Sequence, residues 1–155
     1  MSHIALTHDT IRATEVLDAS VADVWEAYED TAVRAQWSVP AGEMLVYDAD
    51  NFTTGGRATY RCGTPGTLQF HAAVEYTLID PPRLVVYTET LRAADQLLAT
   101  SLVTWQFEQE PAGTRVVVIS QVTSYVGRQM IEGNQNGHRI ALEQLAARFA
   151  ARPQR

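Results

Sequence analysis

Apolar positions along this chain recur with two periods, and the change from one to the other divides it into elements. Residues 10–18, Thr-Ile-Arg-Ala-Thr-Glu-Val-Leu-Asp, alternate as a first strand. Ser20 with Asp23 three residues later makes a start resembling a capping box, after which Val21, Val24, Trp25 and Tyr28 line one helical face. A second short helix is predicted over Thr31 to Trp37, and Pro40 blocks its continuation. From Met44 to Ser124 the period shortens. Met44 to Tyr47, Arg57 to Cys62, Leu68 to Ile79, Arg83 to Glu89, Leu98 to Gln109 and Thr114 to Thr123 are β-branched or aromatic runs. Turn signals separate them: Asp48-Ala49-Asp50-Asn51, Gly63-Thr64-Pro65-Gly66, Asp80-Pro81-Pro82 and Pro111-Ala112-Gly113. Strands joined this tightly pair antiparallel, since a parallel return needs a crossover of about a dozen residues or more.

The helical period returns over Gln129 to Ala151, where His138, Leu142, Leu145 and Phe149 form one stripe with Ala141 beside them. Gly133 and Gly137 predict a loosened first half of this helix. Within the strands, alternation places Phe70, Ala72, Val74, Tyr76 and Leu78 on one face, and His71 on the other. The same rule groups Ala58, Tyr60 and Cys62; Val85, Tyr87 and Glu89; and Ser101, Val103, Trp105 and Phe107. The expected architecture is α+β: a curved seven-stranded antiparallel sheet around a long C-terminal helix, with two short helices after the first strand. No other element is left to cover the sheet.

Composition narrows the function classes. At 155 residues and 46% apolar content, the chain fits a single domain over 1–155, large enough to bury its own core. A net charge of -6 argues against nucleic acid and anionic membrane, both of which need a basic surface. No run of about 18 apolar residues is present to span a bilayer. The N-terminal residues lack the basic and apolar regions of a signal peptide, which points to the cytoplasm. The lone cysteine, Cys62, fits a reducing compartment. All twelve basic residues are arginine, so Schiff-base chemistry and a P-loop are excluded.

Several stretches then carry a resemblance. Val24-Trp25-Glu26-Ala27-Tyr28-Glu29-Asp30 through Gln36-Trp37 and Pro40, the Gly55-Gly56 pair, Ile79 to Glu89, the Gly113-Thr114-Arg115 turn and the final helix with Gly137 resemble the START-like (SRPBCC, helix-grip) superfamily. Within it the chain is most similar to bacterial homologues of the heat-shock-protein ATPase activator, over Thr10 to Ala151. The resemblance implies a helix-grip fold with a cavity between sheet and helix. It also implies three readings of function: a carrier of a small apolar, aromatic or lipid-like molecule, a polyketide cyclase or dehydratase, and a co-chaperone module. Fold alone does not choose between them. Relatives often carry two adjacent tryptophans where this chain has Trp37-Ser38, and Gly-Trp where it has Gly137-His138. Both changes remove bulk near the implied cavity.

The candidate ligand-binding residues are Trp37, Tyr60, Phe70, Tyr87, Glu89, Trp105, Met130, His138 and Leu142. For the aromatic residues the plainer reading is ordinary core. His138 is read either as a hydrogen-bonded core histidine or as a polar anchor in a pocket. Glu89 needs a partner, a proton or a wet cavity, because a bare buried carboxylate costs several kcal/mol. If the two converge, they supply a base and a polarising acid for enolisation or dehydration. No residue is assigned as catalytic. No cofactor or metal is expected: His3, His8, His71 and His138 lack ligand spacing, and Cys62 reads as an inert thiol. A small apolar molecule is the expected partner, and a homodimer and a chaperone are the protein partners left open.

Overall fold

A computed structural model describes residues 6–150; His3, Ala151 and the tail from Arg152 to Arg155 lie outside the described residues. The elements run β1 (Thr7–Leu17), α1 (Val21–Glu29), α2 (Thr31–Trp37), β2 (Met44–Asp50), β3 (Arg57–Gly63), β4 (Phe70–Asp80), β5 (Leu84–Ala93), β6 (Gln96–Glu110), β7 (Gly113–Ser124) and α3 (Arg128–Ala150). The two short helices begin where capping chemistry places them. Ser20 Oγ accepts from the Asp23 N–H at 3.2 Å, and Asp30 Oδ1 from the Val33 N–H at 3.1 Å. Asp30 also ends α1, donating its own N–H to Glu26 O at 3.2 Å, so one residue closes the first helix and opens the second.

The sheet is antiparallel throughout, in the order β1-β7-β6-β5-β4-β3-β2. Strands β2 to β7 form a meander, and β1 joins its far edge by pairing with β7, Leu17 opposite Thr114. Gly113, with φ of 138°, makes that junction compact. A Cβ there would sit 2.0 Å from the Leu17 carbonyl oxygen, so only glycine fits.

One face of the sheet closes on the helices. Val85, Val103, Trp105, Phe107, Val116 and Val118 from the strands meet Val24, Trp25 and Tyr28 of α1, Trp37 of α2, and Ala141, Leu142, Leu145 and Phe149 of α3. The stripe of α3 is thus buried as its periodicity requires. A smaller cluster, Ile11, Ala99, Val122 and Ile131, holds the beginning of α3 against β1, β6 and β7.

Three local expectations are corrected. Asp48 to Asn51 is not a turn: β2 continues to Asp50 across a bulge between Tyr47 and Ala49, because the Asp50 carboxylate finds an arginine inside the protein. Leu78 does not face inward. A bulge between Tyr76 and Leu78 slips the register, so Leu78 is 42% exposed while Ile79 packs against the core. Helix α3 runs unbroken through Gly133 and Gly137, its register held by the buried residues on either side of them.

Candidate functional site

A cavity of about 190 Å³ lies between the sheet and α3. Aromatic residues supply most of its wall: Tyr28 from α1, Trp37 from α2, Tyr47 from β2, Tyr60 from β3, Tyr76 from β4, Tyr87 from β5 and Trp105 from β6. Helix α3 contributes Asn134, Gly137, His138 and Ala141. The rings brace one another. Trp105 sits 5.7 Å from Trp37 and 5.2 Å from Tyr28 between ring centroids, and Tyr47 lies 5.4 Å from Tyr60. Trp37 is fixed further by its indole N–H, which donates to Ala27 O at 3.0 Å. Gln144 of α3 clamps the end of α2 by donating to Trp37 O at 2.8 Å and Val39 O at 2.6 Å.

At one side of the cavity stands Arg34, only 3% exposed and ion-paired with Asp50. Its guanidinium also donates to Tyr47 Oη at 3.0 Å and Tyr28 O at 2.7 Å, and it lies 5.0 Å from the Tyr47 ring centroid and 5.2 Å from that of Phe52. Asp50 receives two further hydrogen bonds, from Tyr76 Oη and from Thr31 Oγ1, both at 2.7 Å. Charge is therefore balanced inside this network, and β2 is bolted to α2.

Glu89 has a different environment. Its carboxyl accepts from the Tyr60 hydroxyl, and no basic residue among the described ones pairs with it. Burial raises its pKa above the ordinary carboxylate value, opposed by the Tyr60 hydrogen bond. The Tyr60 phenol is raised well above its own ordinary value, first by burial and then by the Glu89 charge. His138, on the same cavity wall, touches Trp105 edge-on at 6.3 Å between centroids, and enclosure lowers its pKa to about 4. It is therefore a neutral imidazole at pH 7. Cys62 also lines the wall, its thiol pushed up to about 11 by burial and by the charges of Glu89 and Glu43. Such a thiol is a weak nucleophile.

Of the nine residues expected to bind a ligand, Trp37, Tyr60, Tyr87, Glu89, Trp105 and His138 border this one cavity. Three do not. Phe70 has the inward parity but stands at the start of β4, paired with Cys62 and Ala93 beyond the cavity's end. Met130 packs against the smaller cluster of Ile11, Ala99, Val122 and Ile131. Leu142 is 2% exposed within the solid core, its neighbour Ala141 facing the cavity instead. The sequence reading missed Arg34, Tyr47 and Asn134. A signal existed for Asn134 alone: it precedes His138 by four residues, one helical turn upstream on the same face.

Two polar atoms in this wall are buried without a hydrogen-bond partner, Trp105 Nε1 and Asn134 Oδ1. The Trp105 N–H acts on the Tyr87 hydroxyl as a hydrogen-bond donor, at a geometry looser than that of an ordinary hydrogen bond. Gly137 contributes open space: a Cβ there would meet nothing within 4 Å. Gly137→Ala is therefore expected to stabilise the protein by about 0.8–1 kcal/mol, the helix-propensity difference, while narrowing the cavity. Urea denaturation checks this, and a destabilised variant would mean that the space is already filled.

Among the described residues no group of His, Cys, Asp and Glu side chains could hold a metal ion, and no helix is long and apolar enough to cross a membrane. No curated protein matches the chain. Solved structures do. A protein from Rhizobium leguminosarum is similar with a TM-score of 0.81 and 26% identity, covering 96% of this chain and 98% of its own. One from Rhizobium loti gives 0.80 and 24%, over 92% and 98%. DynU16, a protein in the dynemicin biosynthetic locus, shares the fold at 0.68 and 20% identity; the match covers 92% of this chain and 48% of that one. The family model described as "Activator of Hsp90 ATPase homolog 1-like protein" matches residues 18–150. With the helix pair, strands β2 to β7 and the long final helix all inside that match, the chain belongs to the family of Activator of Hsp90 ATPase homolog 1-like proteins.

Proposed function

We propose that this protein binds a small, mostly apolar molecule in the cavity between the sheet and α3. The observation that carries the reading is the aromatic lining around about 190 Å³ of space. The pocket opens to solvent on one side, so water can enter it in the free protein, and an apolar molecule that displaces that water is favoured by the aromatic wall. Thermal-shift screening against single-ring aromatic and fatty compounds tests this. A true ligand at about 100 times its Kd adds about 2.7 kcal/mol and raises Tm by several degrees. A flat screen, together with no response to plugging the cavity by His138→Trp, would sink the reading.

A second reading has a specific observation in its favour: Glu89 from the sheet and a neutral His138 from α3 line the same cavity. A carboxylate base and a neutral imidazole donor suit the enolisation or dehydration steps of a polyketide cyclase. This reading requires both side chains to reach one ligand, and turnover that disappears in Glu89→Gln and in His138→Phe alike. A chaperone contact rests on the family name alone; a pull-down against a bacterial heat-shock chaperone that stayed empty would dismiss it.

A further inference from the structure

Resting on the cavity-binding reading above, we infer that the ligand is a neutral single-ring compound whose one polar group both donates and accepts a hydrogen bond, such as a carboxamide or a hydroxyl, rather than a hydrocarbon, a lipid chain or an acid.

The size argument comes first. An apolar cavity of about 150 Å³ admits benzene. At about 190 Å³ this one takes one ring and a small substituent, and a fused polycycle or a long acyl chain would have to project from its open side into water. The rings of Trp37, Tyr60, Tyr87 and Trp105 offer flat faces suited to stacking on such a ring.

The polar group follows from the hydrogen bonds the wall leaves unmade. Trp105 Nε1 can only donate, and the Tyr87 hydroxyl beside it is not met with ordinary hydrogen-bond geometry, so a better-placed ligand acceptor can take the N–H. Asn134 Oδ1 is an acceptor without a donor; exchanging the amide's oxygen and nitrogen would put an unmet donor in its place, leaving Glu89 as the acceptor of the site, so that donor and acceptor are still both required of the ligand. Glu89 has spare acceptor capacity beyond its one bond from Tyr60. A buried group left unpaired is destabilising, so the ligand that pairs it binds about tenfold more tightly per bond than one that does not. A hydrocarbon answers none of them. An ammonium answers Glu89 and Asn134 but leaves the Trp105 N–H bare. A carboxylate answers Trp105 and is repelled by Glu89, with no positive charge to offset it: His138 is neutral, and Arg34 is already matched by Asp50. A carboxamide or hydroxyl serves donor and acceptor together.

Calorimetric titration of the intact chain with four probes of one size tests the assignment: benzamide, toluene, benzylamine and benzoate. Benzamide is expected to bind at least about tenfold more tightly than toluene or benzylamine, and benzoate not measurably. Asn134→Leu should weaken benzamide about tenfold, the loss of one buried hydrogen bond, and leave toluene unchanged or improved. Trp105→Phe should act in the same direction. Should that core change impair folding, Asn134→Leu, at a half-buried position on the first half of α3, carries the comparison. Toluene binding as tightly as benzamide would overturn this inference while leaving the binding reading intact. Tightest binding by benzylamine would overturn it too, by making Glu89 a counter-ion for a cation. If none of the four binds and the wider thermal-shift screen is also flat, both fall together.

Discussion

Arg34→Met is expected to lower stability in urea denaturation by about 3–5 kcal/mol, the cost of stranding a buried carboxylate. The reason is Asp50. Its side chain is 3% exposed and lies at the end of β2, where Arg34 supplies its only countercharge among the described residues. Removing the guanidinium also leaves Tyr47 Oη and Tyr28 O without their donor. Asp50→Leu should cost a comparable amount by stranding the cation. The double variant Arg34→Met, Asp50→Leu should be less damaging than the two single effects added together, because neither charge is then left alone. Full additivity in that cycle, or a single-variant loss under about 1 kcal/mol, would mean that the pair contributes nothing specific. The network also shapes the cavity, since Arg34, Tyr47 and Tyr76 are part of its wall. A stable double variant should accordingly bind ligand less well than the parent.

Lowering the pH from 7 to 4 should cost the parent protein about 3 kcal/mol more than it costs His138→Phe. His138 titrates near 6.5 when unfolded and at about 4 in the native protein. Between those values the unfolded chain binds a proton that the native state refuses, so stability falls as pH falls through that window. At about 1.4 kcal/mol per pH unit, the interval gives the figure above. The stabilisation is complete above 6.5 and gone below about 4. Glu89 works in the opposite sense, because its raised pKa disfavours the native state as pH rises above the ordinary carboxylate value. Comparing the parent with His138→Phe cancels that contribution, since Glu89 is present in both. Equal pH profiles for the two proteins would show that the imidazole is solvated rather than enclosed.

The fold was legible because its signals are local. The change of period at Met44, the cap at Ser20, and the stripe from His138 to Phe149 each depend on residues within a turn or two of one another. The misreadings arose where a distant residue decides. Asp48 to Asn51 has the composition of a turn, and only Arg34, sixteen positions before Asp50 and across the protein, makes it a strand. Nothing marks Arg34 among the other arginines, because its burial is created by the aromatic rings that assemble around it. The cavity was legible as a face rather than as a volume. Strand parity turns Tyr60, Tyr87, Glu89 and Trp105 toward it, but parity carries no information about where a cavity ends, so it includes Phe70 as well, and the helical stripe likewise includes Leu142. Met130 follows the helical stripe upstream and overshoots onto the neighbouring apolar cluster.

The pairing of β1 with β7 imposes a sequence of events on synthesis. Strands β3 to β7 each lie beside the strand made just before, so the meander can assemble as it leaves the ribosome. The oldest strand has no such neighbour. Leu17 must wait for Thr114, which at about 5–20 residues per second takes on the order of 5–20 s. During that time β1 is an unpaired strand trailing a growing sheet, open to pairing with other nascent chains. The last step of folding is thus the return of the first strand made, followed by α3, which packs against it and seals the cavity.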